Sequence, residues 1–113
     1  MPSDAATAAL YDICDNILIA REFVTGLTFQ DFVASRLYCY AVARAIEIIS
    51  EASRHLTGDM RNRHPHLPWR AIRDTGNFYR HRYDNVAETR MWTTVHDDFP
   101  PLLAAVEREL QRL

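Results

Sequence analysis

The chain has 113 residues, of which 48% are hydrophobic, and a formal net charge of -2; this is one domain's worth of sequence, with enough apolar material for a real core. Its bulk charge gives no nucleic-acid signal, no run approaches the ~20 apolar residues of a membrane span, and the start lacks the basic-then-apolar run of a secretory signal, so a cytoplasmic protein is expected. Burial is limited at this size, and association with a second copy would add to it.

Ser3 and Asp4 suit a helix N-cap, and Leu10, Ile13, Cys14, Ile17, Ala20 and Val24 then recur at helical spacing until Gly26 supplies a C-cap. Thr28 is placed to cap a second helix, expected from Phe29 to Leu56. Between Leu37 and Ile49 that helix has only Arg44 and Glu47 as charged residues. A helix apolar nearly all round is buried on more than one side, and here the second side is expected to face another subunit, giving a homodimer with a helical interface. Arg44, Glu47, Glu51 and His55 form one polar stripe on it, read either as an exposed, salt-bridged edge or as the polar wall of a cleft. In the cleft reading, Arg or His from the basic segment would partner a buried Glu.

Thr57-Gly58-Asp59 stops the second helix, and Met60 to Pro68 is expected to be a basic loop. His64 and His66 flank Pro65, but no third ligand type sits nearby, so no metal site is expected. Trp69 opens a short helix behind Pro68. A further helix is expected over about Ala87 to Asp98; Pro100-Pro101 interrupt the pattern, and a last helix runs from Leu102 to Leu113 with Leu103, Val106 and Leu110 inward. No stretch shows period-2 alternation, so no sheet is expected and the chain reads as a single all-α domain over 1–113. Cys14 and Cys39 lie on apolar helix faces without metal-ligand spacing and read as buried, reduced thiols.

The charge is unevenly spread. From Arg54 to Arg82 there are seven arginines against two acids, a net of +5, whereas the rest of the chain has six arginines against thirteen acids, a net of -7. A basic middle on an acidic body suits a site that handles a polyanion, although a solvated loop has the same composition. Within it, Asn77, Arg80 and His81 share one face if the segment is helical, and Tyr83 follows. A His moves protons near neutral pH, an Arg holds a phosphate through paired hydrogen bonds, and an Asn orients either group. That set is able to cleave RNA without a metal, yet on spacing alone an Arg-rich helix with one His is also an ordinary solvated face.

Three stretches carry a family resemblance. Ala45 to Leu56, AIEIISEASRHL, resembles the leIIGEAakrL stretch of HepT-like proteins; Pro68 to Ile72, PWRAI, resembles their iPWrei; Asn77 to Tyr83, NFYRHRY, resembles the tail of their RNxxxHxY motif. Leu10 to Phe32 matches their opening helices in spacing. The resemblance implies an up-and-down HEPN bundle of four to five helices that dimerises through helices and brings two Arg/His motifs together in a cleft. It implies a metal-independent endoribonuclease toxin that acts on RNA without a cofactor. It also implies a partner, a minimal nucleotidyltransferase (MNT) antitoxin of the MntA type, able to adenylylate the motif tyrosine. Carried over by position, His81 matches the catalytic His, Asn77 the motif Asn and Tyr83 the modified Tyr. One position departs: Gly76 stands where the family has its motif Arg. Arg80 and Arg73 are the nearest substitutes; if neither serves, the resemblance implies a catalytically impaired HEPN dimer that binds RNA, a nucleotide or the nucleotidyltransferase.

Overall fold

A computed structural model describes residues 3–80 and 85–113, with side chains described throughout those ranges except at 77–80 and 85. The elements, in order, are α1 (Asp4–Val24), α2 (Phe29–Val33), α3 (Arg36–Ser53), α4 (Gly58–Asn62), α5 (Trp69–Arg80), α6 (Asn85–Thr93), a π-helical turn (Thr94–Asp98) and α7 (Phe99–Gln111). No strand occurs among the described residues, and the expected all-α bundle is what the chain forms.

The Ser3 hydroxyl accepts from the Ala6 N–H and starts α1, with Asp4 favourably placed in the positive first turn. Leu10, Ile13 and Ile17 are fully buried along one face of α1. Each such side chain contributes ~1.5–3 kcal/mol by leaving water. Gly26 follows at φ 80°, a left-handed conformation that costs a residue with a Cβ.

The helix expected from Phe29 to Leu56 is divided in two. Thr28 and Asp31 form a reciprocal capping box that starts α2, and Ser35 in extended conformation caps α3 by accepting from Tyr38 N–H at 3.2 Å. This local hydroxyl-to-backbone bond competes with a continuous helix. The bend seats Phe32 fully inside the core, while the Cys39 thiol donates to the Phe32 carbonyl at 3.3 Å.

α3 is the central helix. It packs on α1 along one side and on α5 along another. The two-sided apolar character therefore has a cause within the chain: α5 covers the C-terminal half of α3. Only near its start does α3 keep large apolar groups outside, with Leu37 74% and Tyr40 53% exposed.

Two further stretches differ from expectation. The segment taken as a loop contains α4, because the Thr57 hydroxyl accepts from Met60 N–H and buries Met60 below it. Pro100 and Pro101 sit in the first turn of α7 instead of interrupting the pattern before it. Neither proline has an N–H to give to the preceding turn, and the chain widens there into the π-helical turn, where Phe99 N–H reaches back to the Thr94 carbonyl.

Candidate functional site

α5 carries the residues singled out by the motif. Of these, Arg73 is described in full, and Asn77 and Arg80 lie on α5 with side chains outside the described residues. His81 and Tyr83 fall outside the described residues altogether. Arg73 is exposed, and its guanidinium Nε lies 3.7 Å from Asp74 Oδ1, a loose surface pair.

Gly76 is a packing residue. Its N–H donates to Ser50 Oγ at 3.2 Å, and the Ser50 hydroxyl donates in turn to the Arg73 carbonyl at 2.5 Å. One buried hydroxyl thus bridges a full turn of α5 and fixes how that helix sits on α3. A Cβ at position 76 would lie 3.0 Å from both Cβ and Oγ of Ser50 and 3.5 Å from Glu47 Cα. Ser50 Cβ is fixed to the α3 backbone and has little freedom to yield. The family stretch leIIGEAakrL has glycine where this chain has Ser50.

The polar stripe of α3 borders this contact. Arg44 Nη1 meets Glu47 at 3.3 Å, and Glu51 is met by Arg54 at 3.6 Å and His55 at 3.8 Å. Both readings of the stripe describe part of it. It is exposed and internally paired, and it also walls an open depression of about 390 Å³ that reaches Ser50 and Gly76. Glu51 takes its partners from the end of its own helix.

The buried acid is elsewhere, and residue spacing did not single it out. Glu109 on α7 is 4% exposed and lies among the core positions Leu102, Ala105 and Val106. Arg63 donates to it through Nε at 3.1 Å and through Nη2, and His64 Nε2 donates at 2.8 Å. The Arg63 hydrogen bond and the His64 contact hold the Glu109 carboxyl below the usual carboxylate range against the opposing effect of burial. The available signal was its register, since Glu109 follows Val106 by three residues on the inward face of α7. His64 is thus engaged with a carboxylate, and no His, Cys, Asp and Glu cluster fit for a metal occurs among the described residues. Cys39 is buried and Cys14 partly so; both thiols are free, and burial pushes both above their ordinary range. Among the described residues no helix is long and apolar enough to cross a membrane.

Comparison with known proteins gives one answer. The family described as "Ribonuclease HepT-like" matches residues 13–109. "Probable ribonuclease HepT" of Thermococcus cleftensis is 35% identical over 99 residues, covering 88% of this chain and 90% of the relative. The Methanocaldococcus jannaschii protein named "Putative RNase MJ1380" is 34% identical over 100 residues, covering 88% and 92%. No solved structure matches the chain.

Proposed function

The chain belongs to the HepT-like ribonuclease family of HEPN proteins, and on that premise we propose that it is a metal-independent endoribonuclease, the toxin of a HEPN/MNT toxin–antitoxin pair. The observation that carries this reading is the ordered Asn77, His81 and Tyr83 at motif spacing inside the matched range 13–109. His81 is the acid/base: it takes the proton from a ribose 2′-OH or gives one to the departing 5′ oxygen. The 2′ oxygen attacks phosphorus, the bond to the 5′ oxygen breaks, and a 2′,3′-cyclic phosphate remains. Asn77 orients the reacting groups. With Gly76 in the motif Arg position, a neighbouring guanidinium must stabilise the charge that develops on phosphorus. Arg73 is favoured by its exposed and loosely paired side chain one turn before Gly76; Arg80 is the alternative from sequence spacing.

A homodimer places two such motifs in one cleft, and the exposed Leu37 and Tyr40 on α3 are consistent with a helical interface. The nucleotidyltransferase antitoxin is the proposed partner. It would transfer AMP from ATP to the Tyr83 oxygen, release pyrophosphate and silence the cleft; Tyr83→Phe should abolish the gain in mass.

The test is incubation of purified wild-type and His81→Ala protein with labelled RNA in EDTA. Wild type should leave 2′,3′-cyclic phosphate ends, and His81→Ala should be slower by ~100- to 10,000-fold. No cleavage by folded wild type would favour the second reading, a HEPN dimer that binds RNA, a nucleotide or its nucleotidyltransferase without cutting. The specific observation behind that reading is the close packing of Gly76 on Ser50, which crowds even a Cβ at the motif Arg position.

A further inference from the structure

A second group of arginines surrounds an open groove next to the motif. Arg70 and Arg73 stand three residues apart on α5, on the turns that precede position 77, and so share one face. Arg54 at the C-cap of α3 and Arg61 in α4 close the other side. With Ser53 and Trp69 they line a depression of about 490 Å³, and among the described residues no carboxylate is part of its lining.

The nearest acids hold these cations weakly. Arg54 lies 3.6 Å from Glu51, and Arg73 lies 3.7 Å from Asp74, both at the exposed rim. Arg61 donates to the Leu56 carbonyl at 2.7 Å, which anchors the guanidinium without neutralising it. Arg70 is exposed and has no hydrogen bond or ion pair among the described residues. Trp69 is held in place: its indole N–H donates to the carbonyls of Arg61 at 3.2 Å and His64 at 3.0 Å. A fixed aromatic beside guanidinium groups is the combination that binds single-stranded nucleic acid, the ring for a base and the cations for the backbone.

We propose that this groove is the binding track for the phosphodiester backbone of single-stranded RNA, leading the strand along α5 toward the motif. The assignment rests on the ribonuclease reading and gives it a substrate path. Guanidinium groups from three elements spread around an open surface suit successive phosphates better than one enclosed anion. Like charges gathered with only loose carboxylate partners at the rim repel one another, and a polyanion converts that repulsion into affinity.

The experiment measures affinity for a fluorescein-labelled single-stranded oligouridylate by anisotropy over a series of NaCl concentrations. It uses His81→Ala protein to prevent cleavage, alone and combined with Arg70→Ala, Arg70→Lys or Arg36→Ala. Arg70→Ala should weaken binding roughly tenfold and lower the slope of log K against log salt by about 0.7, the value for one single-strand phosphate. Arg70→Lys should recover part of the affinity, and Arg36→Ala, at the far end of α3, should change it less than about twofold. Unchanged affinity and slope in Arg70→Ala, an equal loss in Arg36→Ala, or full competition by AMP at its own binding concentration would each overturn the track. Arg70-dependent binding by a wild-type protein that cuts no RNA would uphold the groove and overturn the ribonuclease reading instead.

Discussion

Arg63 and Arg70 are seven residues apart in the same basic segment, yet they end in opposite situations. Arg63, together with His64, closes on Glu109 and ties the chain between α4 and α5 to α7. Arg70 faces an open groove with three other arginines and, among the described residues, no acid in the lining. The residue type and local charge density are the same; the difference lies in where the fold delivers a carboxylate. The first region spends its cationic charge inside the protein, and the second holds it in reserve for something outside. A basic segment therefore reports on a ligand only after its internally neutralised members have been taken away.

The largest effect expected from this contrast falls on Glu109. Glu109→Gln keeps the size and removes the charge, leaving Arg63 and His64 without their carboxylate. Hydrogen bonds to a charged group contribute ~1.5–3 kcal/mol, so the melting temperature should fall by roughly 10 °C in a calorimetric scan. Glu51 makes a sharp control because it too is approached by an Arg and a His, but at the surface; Glu51→Gln should stay within ~0.5 kcal/mol of wild type. The same carboxylate gives a pH dependence. Its folded pKa is lowered chiefly by the Arg63 hydrogen bond, so its contribution is fully present above the ordinary glutamate range near ~4.3. It is lost as pH falls through the lowered folded value. Stability of Glu109→Gln should accordingly approach that of wild type in acid; an undiminished gap at pH 3 would show that packing, not charge, accounts for the loss.

A smaller effect is expected at Gly76, where α5 packs on α3. Gly76→Ala places a Cβ 3.0 Å from Ser50, and such overpacking costs ~1–3 kcal/mol, partly offset by up to ~1 kcal/mol of helix propensity. Ser50→Gly removes both obstructing atoms. In that background Gly76→Ala should be tolerated, and a double-mutant cycle by urea unfolding should give a coupling of at least ~0.5 kcal/mol. Gly76→Arg should follow the same rule, folding with Ser50→Gly and poorly without it. Additive effects would mean that Ser50 yields freely and that α5 is positioned by something else.

Much of the fold was legible because its signals are local. Ser3 and Thr28 cap helices with their own hydroxyls, and the period of Leu10, Ile13 and Ile17 marks the buried face of α1. The break at Ser35 was hidden because the apolar spacing runs straight through it, and only the extended backbone at Ser35 shows the stop. The prolines were misread because a residue without an N–H is tolerated in a first turn as readily as it ends a helix. For the site, the motif residues could be named from spacing, whereas the Gly76–Ser50 contact spans 26 residues and the Arg63–Glu109 pair 46. Neither leaves a periodic trace. An acid on an apolar helix face, such as Glu109, does signal that a partner exists somewhere, but which cation it meets depends on the packing of α7.

The smallest expected effect is the most discriminating for the contrast between the two arginines. Arg70→Ala should leave stability within ~0.5 kcal/mol of wild type in urea unfolding, as for a surface residue away from caps, cores and buried pairs. Removing one of several clustered positive charges relieves repulsion, so a slight gain that fades as salt is added is the specific signature of an unneutralised groove. Arg63→Ala should do the reverse, losing stability because Glu109 then keeps a buried charge with only His64 at 2.8 Å and the more distant Arg112 at 3.8 Å as partners. If Arg70→Ala instead costs as much as Arg63→Ala, Arg70 is a structural residue and the groove loses its claim to a ligand. If the two diverge in sign, the basic segment is confirmed as two devices in one stretch of chain, one that closes the protein on itself and one left open to a polyanion.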